Sequence, residues 1–163
     1  MPDDAKLADD KWSQYPCTIL EFAPPERLRI DLRQPLGAAE RATLASLGLE
    51  RPFAVLTAEN PMGENAEDKP TPAQDAETER RNTARHAELE AELRKAGIAF
   101  QHCDGVAPDG EYREHGVAAV MPREQAVMLA RRFGQLAIFW FDGRNFSLVG
   151  AVARNPAEKL PKR

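Results

Sequence analysis

Asn82 and His86 are polar residues on the face of a predicted helix that also carries leucines. The segment RRNTARHAELEAELRKAG (80–97) favours a helix, and Leu89 and Leu93 mark its apolar face. Stepping back from Leu89 by three and then four residues reaches His86 and Asn82. Because amides and imidazoles both donate and accept hydrogen bonds, we predict that the first turns of this helix border a polar pocket.

Further polar side chains stand near the ends of predicted strands, namely Thr57, Asn60 and Gln135. Together with Asn82 and His86, they form a set suited to a neutral polar ligand, a nucleobase edge or an oxyanion. In the alternative interpretation, the amides bond to the backbone of loops and helix ends, as Asn often does. The sequence leaves both interpretations open.

Glu114 is the candidate for general acid–base catalysis. A carboxylate at the rim of a buried strand can have a raised pKa, which suits proton transfer near neutral pH. The alternative is a salt bridge to one of four arginines, Arg80, Arg81, Arg85 or Arg131. No second carboxylate stands at a recognisable spacing, so a glycosidase-type pair is not indicated.

His102, Cys103, Asp104 and His115 are residue types that bind zinc. The chain has neither C-x-x-C nor H-E-x-x-H, and neighbouring strand residues such as His102 and Cys103 point to opposite faces. We therefore predict no metal site and no cofactor, with Cys103 acting as a small buried residue. The phosphate-binding glycine motifs and the G-x-S-x-G elbow are also absent from the sequence.

The elements that must position these residues follow from periodicity and turn signals. Strands are predicted over 17–22, 27–32, 52–58, 98–103, 113–121, 136–142 and 146–152, and helices over 37–48, 76–96 and 122–133. From 52 to 142 the order is strand, helix, strand, strand, helix, strand, which is typical of a ferredoxin-like split βαβ sandwich. We predict this α+β fold with an added N-terminal β-hairpin and a C-terminal β-strand. It would gather Thr57, Asn60, Asn82, Glu114 and Gln135 at one end of the sheet.

Composition limits the domain organisation and the partners. The chain has 163 residues, of which 42% are hydrophobic and 29% charged, and a net charge of -4. We predict a flexible acidic arm (1–11), a single domain (12–152) and a flexible tail (153–163). The acidic balance argues against nucleic-acid binding, and no apolar run approaches the roughly 20 residues that span a bilayer. We expect a cytoplasmic protein, in which reduced thiols at Cys17 and Cys103 are the simpler alternative to one disulfide bridge.

Four motifs, taken together, resemble a known bacterial family, domain of unknown function 3293. They are TAENP (57–61), NTARHAELEAEL (82–93), DGEYRE (109–114) and RRFGQLAIFW (132–140). The resemblance implies functional importance for Thr57, Asn60, Pro61, Asn82, Glu114 and Gln135. It implies no activity, and it does not extend to His86, which stands where relatives often carry a second Asn.

Three functions remain open from the sequence. The first, which we favour, is binding of a small polar molecule in an amide-rich pocket at one end of the sheet. The second is a hydrolase or transferase with Glu114 as general acid/base. The third is a protein–protein interaction module without a ligand, in which the apolar C-terminal hairpin (136–152) mediates homo-oligomerisation. The segment 62–75 is either a lid or a surface insertion.

Overall fold

The computed structural model describes residues 6–22, 28–63 and 71–162. The helices are α1 (Asp9–Trp12), α2 (Ala38–Ser46), α3 (Pro72–Lys95) and α4 (Arg123–Arg132). The strands are β1 (Ile19–Phe22), β2 (Arg29–Asp31), β3 (Phe53–Thr57), β4 (Phe100–Val106), β5 (Arg113–Glu114), β6 (Gly116–Ala119), β7 (Ala137–Phe141), β8 (Phe146–Gly150) and β9 (Glu158–Leu160). None of the helices in these ranges is long and apolar enough to cross a membrane.

The described strands form one sheet in the order β2-β1-β4-β6-β3-β7-β8-β9, and β5 pairs with β4. Each pairing is antiparallel. Helices and an antiparallel sheet in one unit confirm the predicted α+β class. The finer prediction of a ferredoxin-like sandwich stays a prediction.

The sheet buries apolar side chains on both faces, and β3 shows why its sequence is continuously apolar. Side chains alternate along a strand, so Ala54 and Leu56 face one layer while Phe53 and Val55 face the other. The first layer is closed by the leucines of α3 and by α4. The second contains the aromatic residues of the curled half of the sheet and α2. The candidate site lies beside the first half of α3, before the buried residues Leu89 and Leu93.

The two outer strands of the sheet approach each other. Ile30 and Leu32 from the β2 side line the same small cavity as Phe146 and Leu160 from the β8–β9 side. Strand twist accumulates across many strands, and a long open sheet commonly curls. This curl encloses the second layer of the core.

The chain ends contain two elements that the sequence did not indicate. Helix α1 buries Trp12, and β9 pairs with β8 inside the segment predicted as a tail. The amide of Asn155 joins the two ends, because its Oδ1 accepts from the Leu7 backbone N–H at 2.7 Å and its Nδ2 donates to the Leu7 carbonyl at 3.0 Å. Since β9 covers the outer edge of β8, pairing of that edge with a second copy would require β9 to leave it. Homo-oligomerisation through the hairpin stays a prediction.

Helix α3 begins at Pro72, four residues before the predicted start. Thr71 caps it: the Thr71 hydroxyl accepts from the Gln74 N–H at 3.2 Å, and the Gln74 side chain accepts from the Thr71 N–H at 2.9 Å. Thr-Pro-Ala-Gln is thus a capping box with proline in the first turn. The predicted lid or insertion (62–75) falls largely on 64–70, which lies outside the described residues.

Candidate functional site

Four polar residues from three elements bond to one another beside the end of β3, and we call them the amide network: Asn60, Asn82, Tyr112 and Glu114. The Asn60 N–H donates to Asn82 Oδ1 at 3.0 Å, and Asn82 Nδ2 donates back to Asn60 Oδ1 at 3.0 Å. Asn60 Nδ2 donates to Glu114 Oε2 at 2.9 Å and to the Tyr112 hydroxyl at 3.1 Å. The network therefore joins the loop after β3 to α3 and β5.

The loop after β3 has an unusual backbone. Asn60 and Met62, on either side of Pro61, have positive φ angles of 47° and 59°. The Met62 N–H donates to the Gly134 carbonyl at 2.6 Å. Gly134 has a φ of 69°, and a Cβ there would lie 2.9 Å from Pro61 Cβ. The loop is thus strained locally and held against the end of α4, where only glycine fits.

The remaining predicted rim residues hold Glu59. The Thr57 hydroxyl donates to the His115 carbonyl at 2.6 Å and accepts from the Glu59 N–H at 3.0 Å. Gln135 Nε2 donates to the Glu59 carbonyl at 2.9 Å. The Glu59 carboxylate accepts from the His115 N–H at 2.8 Å, and the residue is only 6% exposed. Backbone and side chain of Glu59 are therefore both fixed.

Glu114 lies inside the amide network. Burial raises its pKa, the hydrogen bonds from Asn60 and Tyr112 oppose that rise, and the charge of Glu59 adds to it. Burial and the neighbouring Glu114 likewise raise the pKa of Tyr112. The side-chain partners that the structure gives Glu114 are an amide and a phenol, so the alternative of a salt bridge to arginine is wrong within the described residues. Glu114 thus holds a proton to higher pH than an ordinary glutamate does.

A cavity of about 960 Å³ lies beside this network, and we call it the imidazole–carboxylate cavity. Its described lining is Glu21, Phe22, Leu28, Arg29, Glu59, Thr83, His86, Glu90, His102, Asp104, Arg113, His115 and Gly116. The sequence contains three histidines, and all of them line it. A volume of this size matches ligand pockets, which typically measure about 300–1,000 Å³.

Glu90 is the centre of one cavity wall. The Nε2 atoms of His86 and His102 lie 2.7 Å and 2.9 Å from its Oε1, and Arg94 lies 2.8 Å from its Oε2. Burial alone would raise the pKa of Glu90, but the hydrogen bond and charge of His102, helped by His86 and Arg94, lower it. Glu90 therefore stays anionic to a lower pH than an ordinary glutamate does.

Another part of the cavity lining carries a chain of ion pairs. Asp104 contacts His115 Nδ1 at 3.2 Å and Arg113 at 2.8 Å. Arg113 also bonds to Glu21 at 2.8 Å, and Arg29 lies 3.3 Å from the same glutamate. Each arginine that lines the cavity is thus engaged with a carboxylate.

The structure brings most of the predicted site residues together. Asn60, Asn82 and Glu114 bond directly, and Thr57 and Gln135 join them through Glu59. His86 lies instead on the cavity wall with Glu90. Sequence reasoning missed Glu59 and Glu90, although Glu59 lies inside the TAENP motif and Glu90 stands four residues after His86, the spacing of helical neighbours.

The predicted strand-end group of His102, Cys103, Asp104 and His115 is divided by the sheet. Cys103 is fully buried in the apolar layer, where burial raises its pKa, whereas His102 and Asp104 face the cavity. Cys103 and the exposed Cys17 are both free thiols. The expected alternation of His102 and Cys103 is confirmed.

Comparison with known proteins identifies a family. The model of the family described as protein of unknown function (DUF3293) matches residues 56–138, which include the whole amide network, Gln135 and most of the cavity wall. No curated protein matches the chain, and no solved structure matches it.

Proposed function

This chain belongs to the DUF3293 family, and we propose that it binds a small polar molecule bearing a cationic group in the imidazole–carboxylate cavity. The observation that carries the proposal is the Glu59 carboxylate. It is buried at the cavity wall, and among the described residues no Lys or Arg pairs with it. Buried charges in proteins are normally paired, so an amine or guanidine group of a ligand would complete the site.

The strained loop supports this role. Asn60 and Met62 occupy backbone conformations that cost on the order of 1–3 kcal/mol each in non-glycine residues. Such conformations persist only where the surroundings hold them, and they are commonest at functional sites. Glu59 directly precedes them and is itself held by Thr57, Gln135 and the His115 N–H, so the strained loop and the fixed carboxylate lie side by side.

The proposal gives the predicted amides a positioning role. The amides of Asn60 and Asn82 bond to each other, and that of Gln135 bonds to backbone carbonyls. Ligand contact would fall to cavity-lining groups such as Glu59, Thr83 and His86. Recognition would therefore be ionic rather than by amides alone. No observation favours the alternative of a hydrolase or transferase, because Glu114 is absent from the cavity lining.

A thermal-shift screen tests this proposal. The panel would contain amines and guanidines, with neutral sugars and carboxylates of similar size for comparison. A ligand at a hundred times its dissociation constant stabilises the folded state by about 2.7 kcal/mol. We expect cationic compounds alone to raise the melting temperature.

Glu59→Gln is the informative variant, because glutamine keeps an oxygen for the His115 N–H and loses the charge. We expect it to bind cationic ligands at least tenfold more weakly, about 1.4 kcal/mol. Glu124→Gln, on the exposed first turn of α4, is the matched control and should bind normally. Equal binding by wild type and Glu59→Gln, or binding of neutral or anionic compounds only, would contradict the proposal.

A further inference from the structure

Two imidazoles and one carboxylate converge on one point of the cavity wall. One potential ligand atom from each of His86, Glu90 and His102 lies within 4.8 Å of the others. Both Nε2 atoms approach the same oxygen, Glu90 Oε1. His86 and Glu90 are one turn apart on α3, and His102 reaches them from β4, so helix and sheet together form the cluster.

We propose that His86, Glu90 and His102 hold a divalent transition-metal ion of the zinc type. Two histidines and one glutamate are a ligand set that binds zinc and leaves a further position open, which here would face the cavity. Imidazole ligands favour Zn²⁺, Co²⁺, Ni²⁺ and Cu²⁺ over Mg²⁺ and Ca²⁺. The metal site goes beyond the proposed ligand-binding function and does not depend on it.

The two nitrogen–oxygen distances need only a small adjustment. Zinc binds imidazole nitrogen and carboxylate oxygen at about 2.0–2.2 Å, so ligand atoms around one tetrahedral zinc are roughly 3.3 Å apart. The nitrogens of His86 and His102 are 2.7 Å and 2.9 Å from Glu90 Oε1. At these distances a hydrogen on either Nε2 atom would point to that oxygen. One cation would replace both hydrogens, and each nitrogen would move about half an ångström away from Glu90 Oε1.

The surroundings orient one ligand and leave another unsupported. Arg94 holds Glu90 Oε2 at 2.8 Å, which fixes the carboxylate and leaves Oε1 toward the imidazoles. In contrast, Nδ1 of His86 is buried and has no hydrogen-bond partner within the part of the chain that the structure describes. Because outer partners of metal ligands contribute about 10–100-fold to affinity, we expect a weaker site than a structural zinc site.

Calorimetric titration of the chelator-treated full chain with Zn²⁺ alone tests the metal site, and Co²⁺ absorption reports the coordination. We expect one ion per chain and a visible Co²⁺ spectrum of low-coordinate type, with no comparable binding of Mg²⁺. His102→Ala should weaken binding at least tenfold and remove the spectrum. His115→Ala is the matched control, because it is also an exposed cavity histidine paired with one carboxylate, and it should bind normally.

Three results would overturn the metal site. The first is no stoichiometric binding of Zn²⁺ or Co²⁺ by wild type. The second is equal binding by wild type and His102→Ala, and the third is loss of binding in Cys17→Ser, which would place the ion on the exposed thiol. The metal titration contains no amine or guanidine, so its outcome does not decide the thermal-shift screen. Glu59 is not among the three proposed metal ligands, so Glu59→Gln tests the cationic-ligand proposal and leaves the metal site intact.

Discussion

Two neighbouring polar regions of this molecule are built from similar residue types but are organised in different ways. In the amide network, Asn60 and Asn82 satisfy each other, and Glu114 is enclosed with them. On the cavity wall, Glu90 collects His86 and His102 around an open volume. In the first region the polar side chains bond mainly to one another, whereas in the second they line a cavity that a ligand can enter.

This difference separates holding the fold from contacting a ligand. An unpaired buried donor or acceptor is costly, so a closed network contributes stability only while every member is present. Exposed ion pairs contribute little to stability, typically about 0–1 kcal/mol. We therefore expect mutations in the amide network to affect unfolding and mutations in the cavity wall to affect binding.

Asn82→Ala is expected to have the largest effect on stability. It removes the acceptor for the Asn60 N–H and the donor to Asn60 Oδ1. We expect a loss of roughly 1–3 kcal/mol in the free energy of unfolding, because two buried hydrogen bonds are lost and each contributes about 0.5–1.5 kcal/mol. Urea denaturation followed by circular dichroism measures it.

Thr83→Ala provides the control for this change, since Thr83 is the next residue of α3 and is exposed on the cavity side. We expect its free energy of unfolding to stay within about 0.5 kcal/mol of wild type. If Asn82→Ala were equally mild, the amide network would not hold the loop, and the contrast between the two regions would fail.

Glu90→Gln should have a smaller and pH-dependent effect. The folded-state pKa of Glu90 is lowered from 4.5, so its ionisation stabilises the fold above that pH, and this contribution is lost as pH falls through the lowered pKa. We expect Glu90→Gln to cost about 1 kcal/mol at pH 7, because the half-buried carboxylate loses its charge while glutamine keeps an oxygen for the same hydrogen bonds. Urea titrations at pH 5 and pH 3, an interval in which imidazoles ordinarily keep one charge, should show the deficit shrinking at the lower pH. A deficit that grows on acidification would contradict this assignment.

Glu114→Gln tests the opposite sign in the amide network. The folded-state pKa of Glu114 is raised from 4.5, so the folded protein binds the proton more tightly than the unfolded chain. Its stabilising contribution is full below 4.5 and is lost as pH rises through the raised pKa. Since glutamine keeps a neutral acceptor for Asn60, we expect a change within about 1 kcal/mol at pH 7 and a weaker loss of stability between pH 4 and pH 7 than in wild type.

The exposed neighbour Glu111 supplies the control for this pH dependence. Glu111→Gln should retain the wild-type slope of stability against pH over the same interval. Identical slopes in wild type, Glu111→Gln and Glu114→Gln would show that Glu114 is not the group responsible, and enclosure within the amide network would then have no measurable electrostatic consequence.

The amide network was largely predictable because it depends on sequence order and periodicity. The order of strands and helices brings the end of β3, the middle of β4, the start of β6 and the first half of α3 together, which explains the meeting of Asn60, Asn82 and Glu114. The helical repeat also placed Asn82 with the leucines. Residues several elements apart could thus be grouped before their contacts were known.

The cavity wall was not predictable for a different reason. Glu59 lines the cavity from a loop in which Asn60 and Met62 adopt left-handed conformations, and the sequence does not reveal that loop geometry. The meeting of His102 with Glu90 depends on the separation between α3 and β4, which local patterns do not specify. The geometry of a strained loop and the spacing of packed elements are tertiary properties, which local sequence patterns do not specify. The prediction of no metal site was based on the spacing of ligand residues along the sequence, which does not detect ligands that meet only in the folded chain.

The smallest stability effects are expected from the two exposed histidines of the cavity. The side chains of His102 and His115 are 56% and 61% exposed, and each contacts one carboxylate. We expect His102→Ala and His115→Ala to change the free energy of unfolding by no more than about 0.5 kcal/mol, as exposed pairs do. Urea denaturation without metal measures this. A loss above about 1 kcal/mol in either variant would mean that the cavity wall, like the amide network, stabilises the fold. The contrast between the two regions would then fail, and only binding measurements could support a ligand-binding role for these histidines.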